Sequence, residues 1–110
     1  MRISEIITKL NLTVIQDQYE DRTIMTGYTS DLLSDVMGNA PDQTALITIQ
    51  AHKNTMAVAA LIDCKLVIIC NNKEIEPEMI AVAKKEGIAI GQTPESQYVT
   101  SGKLYQLLQQ

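Results

Sequence analysis

Segments of helical and of extended hydrophobic spacing alternate along this chain. Near the N-terminus, apolar residues recur three and four positions apart, at Ile3, Ile6, Ile7 and Leu10. This spacing predicts a short amphipathic helix with one buried stripe. A short strand is predicted next, over residues 12–15, and the polar residues 16–22 predict a loop.

Four further segments are predicted to be strands, over residues 26–29, 45–49, 66–70 and 88–90. The runs at 45–49 and 66–70 are continuous rather than alternating, which is typical of strands buried on both faces. A helical pattern follows each strand, and such alternation predicts a parallel sheet with right-handed crossovers. Because 110 residues suit one core, we expect a single α/β domain over residues 1–110, in three layers, with a mostly parallel sheet of about four to five strands flanked by helices.

Capping signals predict where these helices begin and end. Side chains suited to N-caps precede three of them, at Ser30 with Asp31, at Asn54 and at Thr93. Gly38–Asn39 predicts a left-handed stop. The clearest helix has Pro77 at its first position and Gly87 at its far end.

Polar residues follow all four of these strands. They are Ser30, Asp31, Gln50, His52, Asn54, Asn71, Asn72 and Thr93, which we call the polar rim. If the strands are parallel, the polar rim gathers at their carboxyl ends, where ligands bind in open α/β sheets. Taken singly, Ser30, Asp31, Asn54 and Thr93 are better explained as helix caps, and Asn71–Asn72 as a turn. Their convergence is what predicts a binding site.

Charge and composition exclude several classes of partner. The net charge is -4, with neither Trp nor Phe, which argues against nucleic acid. No apolar stretch approaches the roughly 18 residues of a membrane span, and the N-terminus is too polar for a signal peptide. We therefore expect a cytoplasmic protein without a membrane contact. Cys64 and Cys70 are expected to be reduced thiols, because an extended run separates them.

The sequence lacks recognisable catalytic parts. His52 is the only histidine, so no metal site is expected. The run from Thr100 to Lys103 superficially suggests a phosphate loop, but the required first glycine and the final Ser or Thr are absent, and no cofactor is expected. A small enzyme that uses His52 with Asp31 is the least favoured hypothesis.

One string of residues points to a family. The run SDLLSDVMGNA from Ser30 to Ala40, together with Asp21-Arg22-Thr23 and Thr26-Gly27-Tyr28 before it, resembles the DRTGG domain family. Ile24 and Met25 stand where the motif's two glycines belong. The family includes modules similar to the N-terminal domain of HPr kinase/phosphorylase, and stand-alone versions occur near iron-only hydrogenase genes.

The resemblance implies a non-catalytic regulatory or assembly module that forms a homodimer. A partner protein is expected to contact the motif residues Asp21, Arg22, Thr26 and Gly27 and the polar rim, and a hydrogenase component is one candidate. The alternative is a small-ligand sensor that binds an adenine nucleotide or another anion at the carboxyl edge of the sheet.

Overall fold

The computed structural model describes residues 1–110. The strands are β1 (Thr13–Gln16), β2 (Thr26–Thr29), β3 (Thr44–Thr48), β4 (Leu66–Ile69) and β5 (Ala89–Gln92). The helices are α1 (Ile3–Lys9), α2 (Leu33–Asn39), α3 (Lys53–Leu61), α4 (Pro77–Glu86) and α5 (Gln97–Leu108).

The strands form one sheet in the order β1-β5-β4-β3-β2. β2, β3, β4 and β5 are parallel neighbours, and β1 pairs with β5 antiparallel through a bulge between Val14 and Gln16. The predicted mostly parallel α/β sheet is therefore confirmed. Every residue of β3 and β4 is buried, as their continuous apolar runs predict.

Helices cover both faces of the sheet. From β2 to β5 each crossover steps to the next strand in the same direction, so crossovers of one hand place α2, α3 and α4 on a single face. These helices enclose one core with Val36, Met56 and Met79. On the opposite face, α1 and α5 bury Ile6 and Leu104 in a second core. The predicted three layers are thus present.

The helix ends match the capping signals only in part. Gly87 ends α4 in the left-handed conformation, with φ 68°, which confirms that prediction. Gly38–Asn39 was predicted to stop α2, but both residues lie inside it and the extended residue Ala40 follows. The predicted left-handed stop is wrong because Pro41 already favours an extended residue before it.

The three predicted N-caps are also wrong. α2 begins after Leu32, α3 after His52 and α5 after Ser96, whose hydroxyl accepts a hydrogen bond from the Val99 amide. Asn54 is already the second residue of α3. Asp31 fails as a cap because its carboxylate bonds to Thr48 and Gln97, and Thr93 fails because its hydroxyl accepts from the Glu95 amide in a turn before α5. None of the helices combines the length and hydrophobicity that a bilayer span requires.

Candidate functional site

Asp31 is the most connected member of the polar rim. It follows β2, and its carboxylate faces the end of β3. One carboxylate oxygen accepts hydrogen bonds from the Thr48 hydroxyl at 2.8 Å and the Ile49 amide at 2.9 Å. The other oxygen accepts from the Gln97 side chain at 3.0 Å. Asp31 thereby joins β2, β3 and the start of α5.

The pKa of Asp31 reflects this surrounding. Partial burial tends to raise the pKa, but the hydrogen bonds from the Ile49 amide, Gln97 and Thr48 outweigh it and hold the pKa below its ordinary value. The carboxylate is therefore charged at neutral pH. Its two oxygens accept three bonds from within the protein, so it is not a free base.

Gln50 connects Asp31 to His52. The Gln50 side-chain nitrogen donates to the Asp31 backbone carbonyl at 3.0 Å, and its oxygen lies 2.8 Å from His52 Nε2. The Gln50 carbonyl accepts a bond from the Thr55 hydroxyl at 2.6 Å. His52 therefore contacts Gln50 rather than the Asp31 carboxylate. The His52–Asp31 pair that a small enzyme would need is not formed.

The other rim residues build turns. Asn71 and Asn72 are both left-handed, with φ 60° and 49°, a conformation that Asn tolerates well. The backbone amide of Asn71 donates a hydrogen bond to the Glu95 carbonyl, and that of Asn72 donates one to the Thr93 carbonyl, both at 2.9 Å. The Thr93 amide in turn donates to Ile69, which keeps Thr93 in line with the sheet. The predicted turn interpretation of Asn71–Asn72 thus matches the geometry.

Ser30 and Asn54 complete the polar rim without joining its network. The Ser30 hydroxyl accepts a bond from the Leu32 amide at 3.2 Å, which forms a local turn. Asn54 is exposed on α3. The residues brought together are consequently Asp31, Gln50 and His52 in one group and Asn71, Asn72 and Thr93 in another.

The polar rim does not enclose a cavity. The molecule has four surface clefts, and none of the eight rim residues lines any of them. The sheet order supplies the reason: ligand crevices at carboxyl ends open where the strand order reverses, whereas β2, β3, β4 and β5 follow one another without reversal.

The largest cleft lies at the opposite end of the sheet. This amino-edge cleft has a volume of about 490 Å³ and is formed by segments that lead into β2, β3 and β4. Its charged lining residues are Arg2, Glu20, Asp21, Arg22, Asp42, Asp63 and Lys65. Asp21 and Arg22 of the DRTGG-like string therefore lie far along the strands from the polar rim.

The charges of the amino-edge cleft are partly paired with one another. Arg22 donates to Asp63 at 3.0 Å and lies 3.9 Å from Glu20. Lys65 is 3.6 Å from Asp63 and donates to the carbonyl of Glu86, the last residue of α4, at 3.1 Å. Such a cation at a helix carboxyl end is favourable. The amino-edge cleft therefore combines open space with charged side chains of both signs.

Asp21 has a structural contact of its own. Its carboxylate accepts bonds from the Ser4 hydroxyl at 2.6 Å and the Ser4 amide at 2.9 Å. These two bonds lower the pKa of Asp21 and satisfy an amide in the first turn of α1. The Asp of the DRTGG-like string thus anchors the N-terminal helix.

Thr26 and Gly27 belong to neither end of the sheet. Both lie in the edge strand β2 and line a groove of about 240 Å³ between β2 and α5. A Cβ atom on Gly27 would lie 2.9 Å from Leu104 Cδ2, so glycine lets α5 approach the strand closely.

The two cysteine thiols are buried and do not line a site. Cys64 and Cys70 are free and buried, and burial raises the pKa of both thiols, that of Cys64 to about 11. No cluster of three or more His, Cys, Asp or Glu side chains is placed to hold a metal ion.

Two members of the rim network, Thr48 and Gln97, were not predicted from sequence. Gln97 is 66 positions from Asp31, and a contact at that separation leaves no local pattern. Thr48 lies inside a predicted strand, where its hydroxyl gives no sign of a role. Neither residue carries a signal that would have identified it.

Comparison with known proteins identifies the fold. No model of a protein family and no curated protein matches the sequence. A solved structure is similar: the CBS and DRTGG domains of the regulatory region of Clostridium perfringens pyrophosphatase, complexed with its activator, diadenosine tetraphosphate. The TM-score is 0.71 at 14% identity, over 94% of this chain and 46% of that one. The chain thus spans about half of that regulatory region, and its fold is that of a DRTGG-like domain.

Proposed function

We propose that this chain is a non-catalytic regulatory or assembly module that works as a homodimer and binds a partner protein. The regulatory setting of the similar fold supports this proposal. So does the polar rim, whose central carboxylate and imidazole are occupied by internal hydrogen bonds. The main support for the homodimer and the partner contact is a set of exposed apolar side chains on the outer side of β2 and α5.

Several large apolar side chains on that side are unusually exposed to solvent. Met25 is 62% exposed and Tyr105 is 69% exposed, and both border the groove between β2 and α5. Tyr98, two turns before Tyr105 on α5, is 87% exposed. We call Met25, Gly27, Thr29, Tyr98 and Tyr105 the β2–α5 surface. Tyrosine and methionine are enriched in protein interfaces, and contiguous apolar exposure marks an association site.

Light scattering on matched variants tests the proposal. We expect a mass of twice the 12.2 kDa chain for the natural sequence and a shift toward monomer for Tyr105→Ser. Leu61→Ser is the control, because Leu61 is equally exposed at 71% but lies on α3. A monomer at all concentrations contradicts the homodimer, and equal effects of both variants contradict the surface.

A hydrogenase component is the partner that the family resemblance suggests testing first. Binding of purified hydrogenase subunits is measured by calorimetry with the natural chain and with Tyr98→Ser. Binding that Tyr98→Ser weakens supports partner regulation through this surface. Absence of binding removes the hydrogenase component from the proposal and leaves the homodimer in place.

A second candidate function is sensing of a nucleotide in the amino-edge cleft. Its volume of about 490 Å³ falls within the range of small-molecule sites, and the guanidinium groups of Arg2 and Arg22 suit phosphate oxygens. Four acidic lining groups oppose an anion: Glu20, Asp21, Asp42 and Asp63. This opposition is why we rank the sensor second.

Thermal shift with ATP and with diadenosine tetraphosphate tests the sensor. Ligand at 100 times its Kd should raise the melting temperature by roughly 10 °C. Arg22→Ala should abolish that rise, whereas Lys103→Ala should keep it because Lys103 pairs with Glu95 outside the cleft. Loss of the rise in His52→Ala instead would assign the ligand to the polar rim. No rise with either compound contradicts the sensor.

A further inference from the structure

The outer side of β2 offers unpaired backbone groups. β2 is an end strand whose only neighbour is β3. The amides of Thr26 and Ser30 donate to the β3 side, to Gln43 and Ile47. Because strand residues alternate in direction, the amides and carbonyls of Gly27 and Thr29 point away from the sheet. These two residues therefore present two donors and two acceptors along an open edge.

β2 is short, with four residues, but its edge lacks the bulge, the charge and the proline that often protect an end strand. At the other end of the sheet, β1 is interrupted by a bulge between Val14 and Gln16. β2 pairs with β3 in unbroken register, and residues 25–30 contain neither a charged residue nor proline. Natural sheets use bulges, charges or proline to prevent edge pairing. The absence of these three features from β2 indicates that its edge pairs with another strand.

We propose that two copies of the chain pair antiparallel through β2, with the two-fold axis passing beside Tyr28. Gly27 then faces Thr29 of the partner subunit, and Thr29 faces Gly27 of the partner subunit. Both positions become hydrogen-bonded pairs, which gives four backbone bonds, and the two five-stranded sheets become one of ten strands. The inference rests on the proposed homodimer and specifies its interface.

Self-complementarity favours a second copy over another occupant. In this register the residues with outward groups on one strand meet the same residues on the other, as a two-fold interface requires. The strand is uncharged, so the net charge of -4 on each chain is not concentrated at the contact. The groove of about 240 Å³ beside the strand is bordered by Met25, Tyr105 and Leu108, which the partner subunit would cover.

A cysteine at the symmetry axis tests the register. Tyr28 would sit opposite Tyr28 of the partner subunit in a non-hydrogen-bonded pair, where Cα atoms are about 4.5 Å apart and a disulfide fits. Tyr28→Cys should form a covalent dimer on mild oxidation. Thr13→Cys is the control, because Thr13 is exposed on β1 at the opposite edge, and it should remain uncrosslinked. The natural thiols are buried and do not interfere.

Lysine substitutions provide a second measurement that does not depend on Tyr28, whose hydroxyl donates to Asp35 at 2.9 Å. Thr29→Lys should weaken the dimer by at least about fivefold, since charge is unfavourable at a paired edge. Thr13→Lys should leave dimerisation within about twofold of the natural chain. A natural dimer with no Tyr28→Cys crosslink and no effect of Thr29→Lys overturns the β2 pairing while the homodimer stands. A natural monomer overturns both.

Discussion

The two ends of the sheet differ in what their polar residues do. At the carboxyl ends, Asp31, Gln50 and His52 form a chain of hydrogen bonds around which no cleft opens. At the amino ends, Arg22 and Asp63 pair beside a cleft of about 490 Å³. Convergence of polar residues therefore does not by itself open a cleft. Strand order decides whether space remains between them.

The two ends of the sheet also differ in electrostatic potential, because the crossover helices all run in the same direction. All three crossover helices begin near the carboxyl ends of the strands and finish near the amino ends. Helix N-termini favour an anion and helix C-termini favour a cation. Asp31 and Lys65 occupy the ends that match their charges, since Lys65 donates to the last carbonyl of α4. These two residues match the helix ends beside them, although the amino-edge cleft as a whole carries charges of both signs.

The largest expected effect is loss of the Asp31 carboxylate. Asp31→Ala leaves the Thr48 hydroxyl, the Ile49 amide and the Gln97 side chain without their acceptor, and an unmade bond to a buried group costs about 1–3 kcal/mol. We expect the free energy of unfolding in urea to fall by about 3 kcal/mol. Asp31→Asn, which keeps one acceptor oxygen, should lose less. A loss below about 1 kcal/mol for Asp31→Ala would contradict a stabilising role for the polar rim.

A smaller effect is expected from acid. The pKa of Asp31 in the folded state is held below its ordinary value of 3.8, so the unfolded chain binds the proton first. The contribution of Asp31 to stability is full above that ordinary value and is lost as the pH falls through the folded-state pKa.

Urea unfolding of the natural chain and Asp31→Asn at pH 7, 5 and 3 measures this contribution. The stability difference between them should persist from pH 7 to 5 and narrow at pH 3. The carboxyls of Asp21 and Asp35, whose pKa values are also lowered, are present in both proteins and cancel. A difference that stays constant to pH 3 would exclude the carboxylate charge as its source.

His52→Ala should have a moderate effect. It removes the bond between His52 and the Gln50 side chain at 2.8 Å, and one partly exposed bond contributes about 1 kcal/mol. The Gln50 side chain still donates to Asp31, so the rest of the network should remain. Thermal unfolding gives the loss, and Asn54→Ala, on the same helix turn but without such a bond, serves as the control. Equal losses would assign the effect to α3 rather than to the network.

Arg22→Ala should have the smallest effect. Its partners Asp63 and Glu20 are 70% and 81% exposed, and exposed ion pairs contribute about 0–1 kcal/mol. We expect a change below about 0.5 kcal/mol in urea, less in 1 M salt. A loss as large as that of Asp31→Ala would remove the contrast between the two ends.

The sequence predicts the layers of this fold because they depend on local patterns. The continuous apolar runs of β3 and β4 predicted strands buried on both faces, and Gly87 predicted the end of α4. The N-cap prediction at Thr93 failed because its hydroxyl accepts from the Glu95 amide in a turn before the helix, and the one at Asp31 failed because its carboxylate has partners elsewhere in the fold. Asp31 bonds Thr48 and Ile49 across two strands, a competition that no local pattern reveals.

The meeting of the rim residues was predictable from sequence, but the position of the largest cleft was not. Asp31, Gln50 and His52 do meet at the carboxyl ends, as expected for parallel strands. Asp21 and Arg22 adjoin β2 in sequence, yet they lie at its other end. Sheet order determines where a cleft opens, and it depends on pairings between distant segments such as β1 with β5. The amino-edge cleft therefore emerged only from the structure.

The two buried thiols allow the opening of each end of the sheet to be timed separately. Cys64 comes just before β4 at the amino end, and Cys70 follows β4 at the carboxyl end. Burial keeps both protonated at neutral pH, so an alkylating reagent reacts with either only while the protein is locally open. The labelling rates of the two thiols would show which end of the sheet opens locally more often, without any added probe.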